Sequence, residues 1–194
     1  LRADLISSHY AMRNPNLRSL AGVYQQLTPN VAVWPAHKTP AVNRGYRAET
    51  MRADSTRAHY TSAGDPTAFV GDRLPAELRR SVFITESAGN MVGRLIVRDS
   101  ADGIPVARTA YDHKEFITGS DERFRPVSLA TAPEGTLYVV DMYRGIIQHR
   151  VFITGYLEQK ITERGLEQPI GLGRIWRVVH TSTVRDEAPH LSTK

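Results

Sequence analysis

The clearest pattern along the chain is that of β-strands. Residues 81–86 (SVFITE) are rich in β-branched and aromatic side chains, and a similar run follows at 91–98 after turn-forming residues at 87–90. A third run at 105–110 begins with proline, which favours an edge strand. These three runs predict an antiparallel meander.

The same pattern begins again further along. Residues 125–132 and 136–141 are strand-like, the turn residues 133–135 (PEG) join them, and 174–180 is a third run. Short strands with turns every 8–12 residues or so are typical of sandwiches, barrels and propellers. The unit of strand, tight glycine turn and hydrophobic strand favours a propeller. We therefore predict an all-β fold, a partial β-propeller of about two to four blades.

The predicted domain is the C-terminal part of a propeller over residues 1–180, followed by a polar tail at 181–194. A helical insertion is expected at about 142–172, where residues 156–165 space two apolar side chains by four and end in glycine. The chain begins with Leu1 and without a leader pattern, so we expect it to start inside a longer protein. Open blade edges predict pairing with missing propeller segments or a partner chain.

Composition limits the kinds of chemistry within this chain. It contains no cysteine, which excludes disulfides, thiolate zinc sites and a Cys-x-x-Cys-His haem attachment. Its longest apolar runs are far shorter than the roughly 20 residues of a membrane span. The net charge of +5 comes mainly from arginines, which suits an anionic ligand or a genome rich in Arg codons. No basic stripe with interleaved aromatics occurs, so no nucleic-acid partner is expected.

The hairpin around residues 133–136 predicts a charged rim. Antiparallel pairing would place Ser128 opposite Asp141 and Arg125 near Arg144, at the base of the insertion. The groups brought to this rim would be Asp121, Glu122, Arg123, Arg125, Asp141, Tyr143, Arg144 and His149. Two facing arginines favour a pocket for an anionic cofactor or substrate, or else an internal salt-bridge network with the local acids.

His149 is a candidate general base, because an imidazole on such a loop titrates near neutral pH. A surface histidine without a role is the alternative. The other histidines that we considered, at positions 9, 37, 59 and 113, have no spacing that marks a metal site, and none is predicted.

Several longer motifs resemble a bacterial family of large secreted propeller proteins, described as membrane-bound dehydrogenase-like or glucose/sorbosone dehydrogenase-like. The matching stretches are 71–79 (GDRLPAELR) with 82–90, 121–127 (DERFRPV), 138–147 (YVVDMYRGII), 173–178 (GRIWRV) and the opening 2–6 with His9-Tyr10 and Arg13-Asn14-Pro15. The resemblance covers most of the chain and is specific at the two long motifs.

The resemblance implies a quinoprotein-type dehydrogenase that oxidises a sugar or alcohol hydroxyl and passes the electrons to a quinone. Pyrroloquinoline quinone (PQQ) and calcium would be its cofactors, an external acceptor would take the electrons, and the protein would be periplasmic or secreted. Arg125 and Arg144, with Tyr143, would bind the quinone, and His149 or Asp141 would take the proton. The alternative is a non-catalytic propeller that binds proteins or glycans.

Overall fold

Antiparallel β-sheets make up most of the regular structure. A computed structural model describes residues 8–18, 28, 31–38, 48–101, 103 and 105–182. Within these residues, eight strands form two sheets, and the all-β prediction is confirmed. Neither sheet closes on itself in the described part of the chain. The opening motif at 2–6 and most of the predicted tail, 183–194, lie outside the described residues.

The first sheet has the order β1-β2-β3-β4, with β5 pairing a different part of β3. Its strands are β1 (Ala63–Ala68), β2 (Ser81–Glu86), β3 (Met91–Asp99), β4 (Pro105–Thr109) and β5 (Ile117–Thr118). The predicted meander is confirmed in β2, β3 and β4, including the edge position of β4. Sequence reasoning missed β1, because its residues AGDPTA have low strand propensity. The strand pairs with β2 in an irregular register.

The second sheet is a meander of three strands in chain order. They are β6 (Pro126–Thr131), β7 (Leu137–Asp141) and β8 (Arg174–Val178). Gly135, with a φ of +84°, makes the predicted turn between β6 and β7. The predicted register is wrong by one residue: Ser128 lies opposite Val140, because the turn already pairs Thr131 with Leu137. The irregularity between Pro126 and Ser128 then shifts the ladder once more, so that Asp141 lies opposite Pro126.

Helices are few and short. They are α1 (Ser8–Arg13), α2 (Pro15–Arg18) and α3 (Gly155–Arg164), with α3 at the predicted place in the insertion. The Thr154 side chain caps the start of α3, and Gly165, at φ +58°, ends it. The buried face of α3 packs within the insertion, through Leu157 and Ile161. No helix among the described residues combines the length and apolar character that a membrane crossing needs.

Two apolar clusters lie on the two faces of the first sheet. The cluster between the sheets contains Phe69, Leu74, Leu78, Phe83, Val92, Leu129, Leu137 and Val139. The cluster on the outer face contains Val33, Tyr60, Ile84, Met91 and Leu95, so part of the segment before β1 covers that face. On the second sheet the corresponding outer face carries Ile175, which is 65% exposed. In the described part of the chain, the two sheets thus differ in how far they are covered.

Gly93 in β3 lets the outer segment approach closely. A Cβ at this position would lie 1.8 Å from Tyr60 Oη and 3.1 Å from Glu115 Oε2. We expect Gly93→Ala to lower the free energy of unfolding by about 1–3 kcal/mol, as overpacking does, in urea denaturation followed by circular dichroism. Gly155→Ala is the matched control, because a Cβ there meets nothing within 4 Å and alanine favours a helix. Equal stability of G93A and G155A would contradict the close packing.

Candidate functional site

The candidate site is the rim where β6 begins and β7 ends, and Arg125 is at its centre. Arg125 is 2% exposed. Its Nε donates to Arg144 O at 2.9 Å, Nη1 to Ser87 O at 2.8 Å and Nη2 to Gly145 O at 3.0 Å. The guanidinium therefore joins the turn after β2 to the start of the insertion by hydrogen bonds to three main-chain carbonyls.

The charge on Arg125 is retained despite its burial. Removal from water lowers the pKa of Arg125 to about 10, and the nearby positive charge of Arg57 also lowers it, whereas Glu122, Asp121 and Glu86 oppose the change. The group remains a cation at neutral pH, since its pKa stays well above 7. Neighbouring acids thus compensate the charge without binding the guanidinium directly, which differs from the salt-bridge network that the sequence suggested.

Asp141 is equally buried, at 1% exposure, and both of its oxygens accept hydrogen bonds. Oδ1 accepts from Arg125 N and Tyr143 N, each at 2.8 Å, and Oδ2 accepts from Trp176 Nε1 at 2.9 Å. The carboxylate thus links the start of β6 and the end of β7 to the middle of β8. These contacts are those of a structural carboxylate.

Tyr143 lies in the left-handed region of the backbone, with a φ of +48°, which turns its ring out toward the loop before β6. Its hydroxyl donates to Asp121 Oδ2 at 2.7 Å, and the Arg174 guanidinium lies 3.8 Å from the ring centroid. The hydrogen bond to Asp121 raises the pKa of the Tyr143 hydroxyl. The predicted proximity of Tyr143 and Asp121 is therefore present, as part of a stacked surface cluster with Arg174.

The structure brings Arg125, Asp141 and Tyr143 together, whereas the side chains of Arg144 and His149 form no described hydrogen bond with them. Arg144 is half-buried and contributes its carbonyl oxygen to Arg125. His149 is exposed and precedes a short 3-10 helix, Arg150–Phe152. Among the described residues, no hydrogen bond or ion pair joins the His149 side chain to the other predicted site residues.

The described rim does not fit a bound quinone in the way that the resemblance implied. Three of the five N–H groups of the Arg125 guanidinium donate to main-chain oxygens, and the side chain is buried, so a quinone carboxylate does not reach it from solvent. Among the described residues, no group of three or more His, Cys, Asp or Glu side chains is suited to a metal ion.

Sequence reasoning missed the structural role of the loop 121–125, which we call the tie loop. Within it, Arg123 donates to the carbonyls of Gln168 and Gly165, both at 3.0 Å, just beyond α3. Glu122 forms an ion pair with Arg164, in the last turn of α3. The tie loop therefore fastens the insertion to the sheet. The charged residues of DERFR were visible, but the partners of Arg123 are main-chain oxygens, and no side-chain pattern in the sequence marks such partners.

A second polar cluster, the Trp34 cluster, lies on the outer face of the first sheet. The Trp34 ring centroid is 4.0 Å from that of His113 and 4.0 Å from the Arg52 guanidinium carbon. Trp34 N donates to Glu115 Oε1 at 2.9 Å. Burial raises the pKa of Glu115 to about 7, although the hydrogen bond from Trp34 and the charge of Arg52 oppose the change. Nothing in the sequence marked Glu115, since its partner is 81 residues away.

Comparison with known proteins gives a family without an assigned activity. Residues 2–182 match the model of the family described as Domain of unknown function (DUF7133). No curated protein matches the chain, and no solved structure does. Because the matched region covers nearly the whole sequence, the chain belongs to the DUF7133 family.

Proposed function

We propose that the chain is part of a β-propeller that serves a larger protein as a non-catalytic module for binding and assembly. The observation that carries the proposal is the use of charge at the rim. Arg125 and Asp141 are the two buried residues that were predicted to bind the cofactor or take a proton. Their side chains form hydrogen bonds with main-chain atoms and with Trp176. Groups used in this way hold a scaffold together and are not available to a substrate.

The arrangement of the two sheets supports a propeller. Each contains a meander of strands that follow one another along the chain, and β6 of the second sheet packs against β1 and β2 of the first. The interface between them is apolar, with Phe83 and Val139 fully buried. Successive blades of a propeller pack face to face in the same way.

The edge of the second sheet supports the need for further segments. In the first sheet β3, the third strand, pairs with β2 on one side and β4 on the other. β8, the third strand of the second sheet, pairs only with β7 among the described residues. Ile175 is 65% and Trp176 46% exposed. The edge has no proline, and its two arginines lie against Tyr143 and Glu134. We infer that the occupant of this edge is the next strand of the same propeller, supplied by residues outside the described range.

Assembly can be tested by comparing the 194-residue chain with the larger protein that the proposal implies, here called the intact protein. We expect β8 amides to exchange with solvent at least about tenfold more slowly in the intact protein, since pairing protects backbone groups. We also expect the 194-residue chain to self-associate at high concentration in light scattering, and Ile175→Lys to reduce the association. Val151→Lys is the control, because Val151 is 80% exposed on the insertion. Equal β8 protection in both proteins, with a monomeric 194-residue chain, would contradict the proposal.

A quinoprotein sugar dehydrogenase is the second proposal, for the intact protein. Its support is the resemblance of the long motifs, together with the exposed His149 and the half-buried Arg144 in the segment that leaves the rim. The quinone-binding groups would then lie largely outside the described residues. The test is reconstitution of the intact protein with PQQ and calcium, followed by dye reduction with aldoses. Turnover that is lost in His149→Ala would favour the enzyme, and no turnover with any sugar would favour the binding module.

A further inference from the structure

The Trp34 cluster joins two parts of the chain that are distant in sequence. Segment 31–38 lies on the outer face of the first sheet, where Val33 is fully buried against Ile84 and Met91. Loop 110–116, which joins β4 to β5, meets the segment from the side. The polar contact between segment and loop is the hydrogen bond from Trp34 N to Glu115 Oε1.

The surroundings of Glu115 are crowded and partly apolar. The space where a Cβ of Gly93 would lie is taken by Tyr60 Oη, and Glu115 Oε2 borders the same space. Tyr60 is a buried member of the outer cluster, and burial raises the pKa of its hydroxyl, with a further contribution from the charge of Glu115. An ionised Glu115 would therefore sit beside buried groups that cannot hydrate it fully.

We propose that Glu115 is a pH-sensitive latch, which holds segment 31–38 on the first sheet while its carboxyl group is neutral and loosens the segment when it ionises. In the neutral form the carboxyl oxygen accepts the Trp34 hydrogen bond without a charge to bury. In the ionised form the carboxylate gains by reaching water, and it does so when the segment moves off the sheet.

The charged groups around Glu115 set the direction of the effect. Arg52 lies over the Trp34 ring and donates to Val33 O at 2.7 Å, so its positive charge favours the ionised carboxylate in the closed form. Tyr60 has no charge at neutral pH. His113 stacks on Trp34 from the loop side and lies 3.4 Å from the Asp112 carboxylate. Burial nevertheless exceeds the help from Arg52, since the pKa of Glu115 rises from 4.5 to about 7.

The sign of the pH dependence follows from that shift. The closed form holds the Glu115 proton more tightly than the open form, in which the carboxyl is hydrated and has its ordinary pKa of 4.5. Raising the pH through the range from 4.5 to 7 therefore favours the open form progressively, and above 7 the effect levels off. Because the carboxyl is partly exposed, we expect about a tenfold rise in the opening equilibrium, less than the shift alone would give.

The test is hydrogen exchange of the Trp34 backbone amide in the 194-residue chain, measured by NMR between pH 5 and pH 8. After correction for the intrinsic exchange rate, we expect its protection factor to fall about tenfold, while amides of the β2–β3 ladder keep theirs. Glu115→Gln keeps the acceptor oxygen without the titration, so protection of Trp34 should be independent of pH in that variant. His113→Gln is the control for the neighbouring imidazole and should behave like the wild type.

The possible results separate the latch from its alternatives. A pH dependence that persists in Glu115→Gln but vanishes in His113→Gln would assign the titration to His113 and overturn the proposal. Trp34 protection that does not change with pH in the wild type would overturn it as well. A parallel loss of protection in the β2–β3 ladder would show global unfolding, which also contradicts a local latch.

Discussion

Replacement of Arg125 by methionine is expected to lower the free energy of unfolding by about 3–5 kcal/mol, the cost of breaking a buried charged network. Methionine has a similar length and fills the space, but it leaves the carbonyls of Ser87, Arg144 and Gly145 without their donor. Arg125→Lys should recover little of the loss, because an ammonium group lacks the planar fork that reaches three acceptors. Urea denaturation followed by circular dichroism measures the effect.

Arg144→Met is the matched control for Arg125→Met. Arg144 takes part in the same network through its main-chain oxygen, which the substitution keeps, and its side chain is half-buried. We expect a loss of stability below about 1 kcal/mol, as for most surface changes. If R125M were as stable as R144M, the guanidinium would not be a structural tie, and a role in ligand binding would regain support. If R144M lost as much stability as R125M, the Arg144 side chain would also matter, and Arg144 would not act through its main-chain oxygen alone.

The strands were predictable where local sequence and tertiary environment agree. β2, β3 and β7 are buried on at least one face. β2 and β7 consist largely of β-branched and aromatic residues, and five of the nine residues of β3 are apolar, so local sequence and packing favour the same structure. β1 was missed because its residues disfavour a strand and only pairing with β2 keeps it extended. β1 forms because it pairs with β2, and a propensity scale takes no account of pairing with another strand.

The position of the rim was predictable, whereas its use was not. A hairpin with a tight turn fixes which strand ends lie together, so Arg125, Asp141 and Tyr143 could be grouped from their sequence positions alone. The irregular pairing between Pro126 and Ser128 then shifts the register by a residue, and the Arg125 side chain turns into the interior. Whether an arginine at a strand end meets a ligand or a carbonyl depends on such details.

The Trp34 cluster lay beyond sequence reasoning for a different reason. Glu115 and Trp34 belong to elements that meet only after the first sheet has formed, and neither residue stands in a motif. A pH-dependent contact of this kind results from burial, and burial is a property of the assembled fold.

Asp141→Asn is expected to lower the free energy of unfolding by about 2–4 kcal/mol, because charged hydrogen bonds inside the protein are lost or weakened. Asparagine replaces one of the two carboxylate oxygens by an NH2 group. That NH2 group would face another donor in either orientation, because one oxygen accepts from Trp176 Nε1 and the other from two main-chain N–H groups. The measurement is urea unfolding, with circular dichroism as the signal so that loss of the Trp176 environment does not bias it.

A double-mutant cycle with Trp176→Phe identifies the bond responsible. Phenylalanine removes the donor to Asp141 Oδ2 and keeps most of the ring, so we expect an interaction energy of about 1–2 kcal/mol between the two substitutions. His149→Asn is the comparison from the other predicted catalytic residue, and it should change stability by less than about 0.5 kcal/mol, since His149 is exposed. A catalytic Asp141 would give the opposite pattern: D141N would keep its stability, show no coupling to Trp176, and lose only activity or ligand affinity. The stability cycle therefore distinguishes a structural carboxylate from a catalytic one without knowledge of the substrate.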